Sequence, residues 1–206
     1  VDSNLLSDAG IQLQANDKSS ISATVVAASI GAGSIGASVS DNSIGYDSDG
    51  ERIGNKIEAS SLNSTMNAVG ALEVDAESSA TITANVIAAS IAVAKGSGTA
   101  LSGSGSGVST TNRVAQDVKA SLDGDAQSSA PLASGIEAGS VALTATDTSV
   151  ITAHAGAAAL ALSFGGNSGN LTISVGLARN VINNTVETSI KNVHQHQLTT
   201  PADTDG

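Results

Sequence analysis

Leu72-Glu-Val-Asp-Ala-Glu-Ser-Ser-Ala-Thr-Ile-Thr-Ala-Asn-Val-Ile-Ala-Ala-Ser-Ile-Ala-Val-Ala94 decides how this chain is read, because it occurs three times in degenerate form. The first copy is Ile11-Gln-Leu-Gln-Ala15, Ser20-Ile-Ser-Ala23 and Val25-Val-Ala-Ala-Ser-Ile30. The third is Val141-Ala-Leu-Thr-Ala145, Val150-Ile-Thr-Ala153 and Ala157-Ala-Ala-Leu-Ala-Leu162. Self-similarity of this kind identifies an architecture before any single motif does. Within each copy, apolar and polar residues alternate, the period of a strand with one face buried. The run from Val25 to Ile30 is ambiguous alone: its β-branched residues favour strand, while its alanines equally suit a helix. Three copies beside clear alternation decide for strand.

Working outward, Ile21 to Ile82 is 61 residues and Ile82 to Ile151 is 69. A second element follows each copy, with apolar residues at Ile53, Ile57 and Leu62, then Val114, Val118 and Leu122, then Ile182, Val186 and Ile190. The extra residues of the later spacing fall in Asp123 to Gly135, an expected insertion loop. Lys95 to Gly107 stands where Gly31 to Gly36 and Gly165 to Gly169 stand in the other copies; it reads as a loop, or as strand with its glycines facing in. Repeats are therefore expected at about 5–65, 66–134 and 135–198, within one repetitive β domain spanning 1–206 and excised from a longer protein. The expected fold is all-β, a parallel β-helix or β-solenoid of three degenerate repeats. A solenoid turn commonly takes about 20–25 residues, so three rungs per repeat are expected, nine or ten in all, making a rod about 45 Å long. Isoleucine, valine, leucine and alanine would face in; threonine, serine, asparagine and aspartate would face water or stack in ladders.

Composition supports this reading. Hydrophobic residues make up 40% of the chain but aromatics only 1%, so a β-sandwich, which usually holds an aromatic core, fits less well. A helical rod fits least, because glycine and serine crowd every candidate helix at about 1 kcal/mol per interior glycine. The net charge of −11 disfavours nucleic acid, whose phosphates need a cationic face, and also anionic lipid. With no cysteine there is no disulfide and no thiolate site. No run reaches 18 apolar residues, so no spanning helix and no membrane insertion is expected.

Chemistry could sit at three acidic turns. Asp47, Asp49 and Glu51 form the first, Asp123 and Asp125 the second, and Asp203 and Asp205 the third. Paired carboxylates in a tight bend are candidate calcium ligands, though neither an EF-hand nor a glycine-rich calcium nonapeptide is complete. His154 lies in an apolar strand, where a structural or solvent-facing role is expected; His194 and His196 have the spacing of a minimal zinc pair. Gly103-Ser-Gly-Ser-Gly107 matches a nucleophile elbow by composition alone. Arg52, Arg113, Arg179, Lys56, Lys119 and Lys191 recur at related places and read as a repeated surface, not a catalytic centre. Outward threonines at Thr81, Thr83, Thr144 and Thr146 raise an ice-binding grid, but the pairs are far apart in sequence.

The segments Ala15 to Ile30, Ala76 to Ile91 and Ala145 to Leu160, with the elements at Asn112 and Asn180, resemble the repeat regions of large bacterial surface proteins, the haemagglutinin-like and adhesin-like β-solenoids. The resemblance implies a structural stalk or adhesive module without enzymatic activity, extracellular or on the cell surface. It implies neighbouring repeats, and cell-surface glycans or proteins, as partners. The alternative is a polysaccharide-processing β-helix enzyme, a lyase, epimerase or hydrolase.

Overall fold

A computed structural model describes residues 3–123, 136–191 and 198–199 of the chain. The protein is all-β, with its strands in four parallel sheets that repeat along the sequence. Sheet one holds β1 (Asn4–Ser7) and β2 (Ile11–Asp17), then β6 (Thr65–Ser78), β10 (Ile136–Asp147) and the short β14 (Leu198–Thr199). Sheet two stacks β3 (Ser20–Gly31), β7 (Thr81–Lys95) and β11 (Val150–Phe164). Sheet three stacks β4 (Gly33–Ile44), β8 (Thr99–Val114) and β12 (Asn167–Ile182). Sheet four stacks β5 (Asn55–Leu62), β9 (Gln116–Asp123) and β13 (Thr185–Lys191). The chain visits the four sheets in order and then begins again one strand further along, a solenoid-like repeat.

The register confirms the repeat and corrects its scale. Ile21 pairs with Ile82 and Ile82 with Ile151, so the copies seen in sequence lie directly on one another. Each repeat, however, is a single rung of four strands and not three short rungs. Strands of up to 16 residues absorb its length. Three stacked strands at about 4.8 Å make a stack with about 10 Å between its first and last rung, not a 45 Å rod.

Each rung runs out along sheets one and two, reverses at a tip, and returns along sheets three and four. In the middle rung the tip is Lys95–Thr99. Sheets one and four face each other, and so do two and three. Between one and four the core is apolar: Met66, Leu72, Val74, Val118 and Leu122 are fully buried. Alternation explains this, since every second residue of β6 and β9 turns inward. Burying a Leu or Val side chain is worth about 1.5–3 kcal/mol, which makes this end the firm end of the slab.

Between sheets two and three the filling changes. Ile82 meets Val114 and Ile44, then Val86 and Ala88 meet Val108, and nearest the tip Ser90 Oγ lies 2.6 Å from Ser104 Oγ. The same serine contact, at 2.6 Å, joins Ser29 to Ser34 in the first rung. Side chains shrink towards the tip. Kinks also recur in place: Gly10, Gly70 and Gly139 mark the irregularity in sheet one. A Cβ on Gly10 would meet the Ala71 carbonyl oxygen at 2.8 Å, and one on Gly139 the Val69 oxygen at 2.7 Å.

The expected insertion at 123–135 is consistent with the register on either side. The pairing step is 61 residues from β5 to β9 and becomes 70 where Met66 meets Ile136; residues 124–135 themselves lie outside the described residues. Ile53 is not the counterpart of Val114, as its spacing suggests. Ile44 is, and Ile53 lies 60% exposed in the loop between β4 and β5. Leu62 likewise pairs with Asp123 rather than Leu122, whereas the Ile57–Val118–Val186 column is as read.

Candidate functional site

Three features outside the apolar core bring chemically distinctive side chains together. The first is the loop from Gly45 to Gly54, which the middle rung replaces by Ala115 alone. Gly45 opens it at φ 76°, where a Cβ would meet the Ala115 carbonyl oxygen at 2.0 Å, so only glycine fits. Asp47 then folds the bend: its Oδ1 accepts from the Asp49 N–H at 3.0 Å and the Glu51 N–H at 2.8 Å. Arg52 forms an ion pair with Asp117 of the second rung, and its Nε–H donates to the Asn183 carbonyl of the third at 3.3 Å. That hydrogen bond to Asp117 raises the Arg52 guanidinium above its ordinary pKa. In return, Arg113 of the second rung lies 5.1 Å from the Tyr46 ring centroid and donates to both Asp41 oxygens at 3.1 Å. The loop is a strap over all three rungs.

Asp47, Asp49 and Glu51, expected as calcium ligands, are thus placed on the strap, with one Asp47 oxygen used by the bend itself. Asp123 ends β9, and its carbonyl accepts from the Asn63 N–H at 3.0 Å. Asp125, Asp203 and Asp205 lie outside the described residues, as do His194 and His196. Among the described residues no group of three or more histidines and acids is placed to hold a metal ion. His154 is exposed on β11, in register with Asn85.

The second feature is a buried amide column. Asn42 Nδ2 donates to Asn112 Oδ1 at 2.8 Å, and Asn112 Nδ2 donates to Asn180 Oδ1 at 2.9 Å. Asn112 is fully buried, so of the two expectations for asparagine, facing water or stacking in a ladder, this column takes the ladder. Residues in successive rungs stack at strand spacing, so identical amides satisfy one another along the stack. The recurring asparagine at 42, 112 and 180 is the sequence signal that would have found it.

The third feature is the tip half of the slab, where the usual orientation is inverted. Facing in from sheet three are Ser34, Ser38, Ser40, Ser102, Ser104, Ser106 and Thr110, all buried. Facing out from sheet three are Ile35, Val39 and Leu101 on these strands and Leu171, Ile173, Val175 and Leu177 on the end strand β12, all at least half exposed. Gly103, Gly105 and Gly107 were expected to face in as strand or to form a loop. They face out, and Gly103 and Gly105 floor a shallow groove between Ile35 on one side and Leu171 and Ile173 on the other. A Cβ on Gly103 or Gly107 would touch nothing within 4 Å. Sheet two carries a matching apolar exterior: Val26, Ile30, Ile87, Ile91, Val93, Leu160, Leu162 and Phe164. Nearer the body its outer face turns polar, with Ser22, Thr83 and Thr152 in one column. Thr144 and Thr146 lie on sheet one beside Asp75 and Glu77, so the threonines make no common grid.

Comparison with protein-family models, with curated proteins and with solved structures finds no match for this chain. Function therefore rests on the geometry.

Proposed function

We propose that the chain is a structural and adhesive module, one stretch of a parallel β-helix stalk in an extracellular bacterial surface protein. One observation carries the reading: what recurs from rung to rung is a set of contacts along the stack. Hydrophobic columns such as Ile21–Ile82–Ile151, the amide column through Asn112, and the strap from Arg52 to Asn183 all tie one rung to the next. Side chains arranged this way resist separation of rungs, while the end strands offer their edges to neighbouring repeats and the outer face of the body is left to engage glycans or proteins.

Single-molecule force spectroscopy on the chain, pulled from its two ends, tests this. Resistance is expected in steps of one rung, each releasing about 20–25 nm of chain at ~3.5 Å per residue. Smooth extension without force peaks would overturn the stalk reading.

A further inference from the structure

We propose that the tip half of the slab is a membrane-contacting surface, seated in the apolar layer of a neutral phospholipid bilayer. Three independent observations support a lipid occupant.

Orientation comes first. Sheet three turns hydroxyls inward, sheet two turns mostly alanine and valine inward, and branched aliphatics point out on both broad faces. In sheet three that is the side-chain order of a strand whose outer solvent is hydrocarbon and whose inner neighbours are polar. A protein partner would cover one face; lipid surrounds both.

Charge comes second. Residues 19–40 carry none, residues 78–112 carry only Lys95, and residues 148–178 contain only His154 as an ionisable group. The register aligns these three stretches, so the remaining charged residues described here lie on the body, at the strap, or where sheet three joins them.

Height comes third. Ile87 to Val93 on one face and Leu171 to Leu177 on the other each cover six residue steps, about 20 Å at ~3.3 Å per residue. An outward apolar band on membrane strands stands about 25 Å tall. Beyond the band the chain turns polar again at Lys95-Gly-Ser-Gly98. The absence of an 18-residue apolar run, from which no membrane insertion was expected, applies to helices; a strand needs about 9–11 residues and shows its apolar face only at alternate positions.

Backbone groups on the outermost strands also need partners in hydrocarbon. A second copy stacked edge to edge pairs one edge and leaves two open, so the bound form is a closed ring of copies. The acidic body sets the lipid preference: neutral headgroups are favoured, and anionic ones repel it.

The test is flotation of the purified chain with phosphatidylcholine vesicles, beside a Leu171→Glu/Ile173→Glu variant. Both positions are exposed, and a matching circular dichroism melt checks that the variant folds. The chain should rise with the vesicles, less so as anionic lipid is added, and the variant's partitioning should fall by more than about ten-fold. A Phe164→Trp probe should be quenched by lipids brominated on their acyl chains. Failure to float, or equal flotation of the variant, overturns the proposal. So does self-association in solution that the same substitutions disperse while vesicles capture nothing; the face then belongs to a second copy. None of these outcomes touches the rung-by-rung resistance that tests the stalk.

Discussion

Asn112 shows what a single position contributes when a sequence repeats in space. Its side chain accepts from Asn42 and donates to Asn180, with Thr110 as a further acceptor at 3.3 Å. Replacing it with leucine leaves a buried donor on Asn42 with only Ser40 and removes the donor that reaches Asn180. Asn112→Leu is expected to cost about 1–3 kcal/mol in chemical denaturation. Asn180→Leu, at the exposed end of the column, should cost distinctly less. Equal losses would show that the column acts as independent residues. Asparagine was expected either to face water or to stack in ladders, and these form a ladder; its burial was not legible, because polarity alone does not say which face of the sheet carries it. Only the register reveals that each has its own kind as neighbour.

At the scale of the strand, β8 was the hardest to read. Leu101-Ser-Gly-Ser-Gly-Ser-Gly-Val108 resembles a flexible linker by composition, yet it is the middle of a 16-residue strand. Its alternation is small against smaller, serine in and glycine out, so the hydrophobic contrast that betrays a strand is missing. The glycines are not demanded by their surroundings, since nothing in the chain would meet a Cβ at Gly103 or Gly107. Gly103→Ala and Gly107→Ala are each expected to raise stability by about 0.5–1 kcal/mol in denaturant melts, by restricting the unfolded chain. A loss instead would mean that the strand needs glycine for its own geometry. The boundary of β4 was missed for a different reason. The first rung is nine residues shorter at its tip and nine longer at its strap than the second, judged by the pairings of Gly33 with Gly103 and Asn55 with Gln116. The two differences cancel, so a spacing of 61 residues looked uniform and matched Ile53 to Val114.

For the whole molecule, the notable quantity is where the negative charge lies. Strands about 4.8 Å apart would set like charges in direct opposition if acids recurred in register. Among the described pairings none do. Glu58 and Glu187 both face Lys119, Lys56 faces Asp117, and Lys191 faces Asp123. Glu73, Asp75 and Glu77 face Gln12, Gln14 and Asn16 on one side, and Ala142, Thr144 and Thr146 on the other. An acidic chain can thus stack on itself without self-repulsion at the rung spacing. Thr144→Asp, opposite Asp75, should lower the melting midpoint at low salt and recover most of the loss at high salt, where screening shortens the reach of the charge. A loss independent of salt would instead point to strand propensity. The repeats and their columns were readable from sequence because the same residues return. Neither the number of rungs nor the outward direction of the aliphatics was readable, because both depend on strand length and facing.

Matched columns also bear on how such a chain changes over generations. Because a strand of one rung can lie on the corresponding strand of any other, a recombination between repeats adds or deletes a whole rung in one genetic step. The new neighbours still present isoleucine to isoleucine and asparagine to asparagine, so stack height can be varied by copying alone, with no new side chain to be invented.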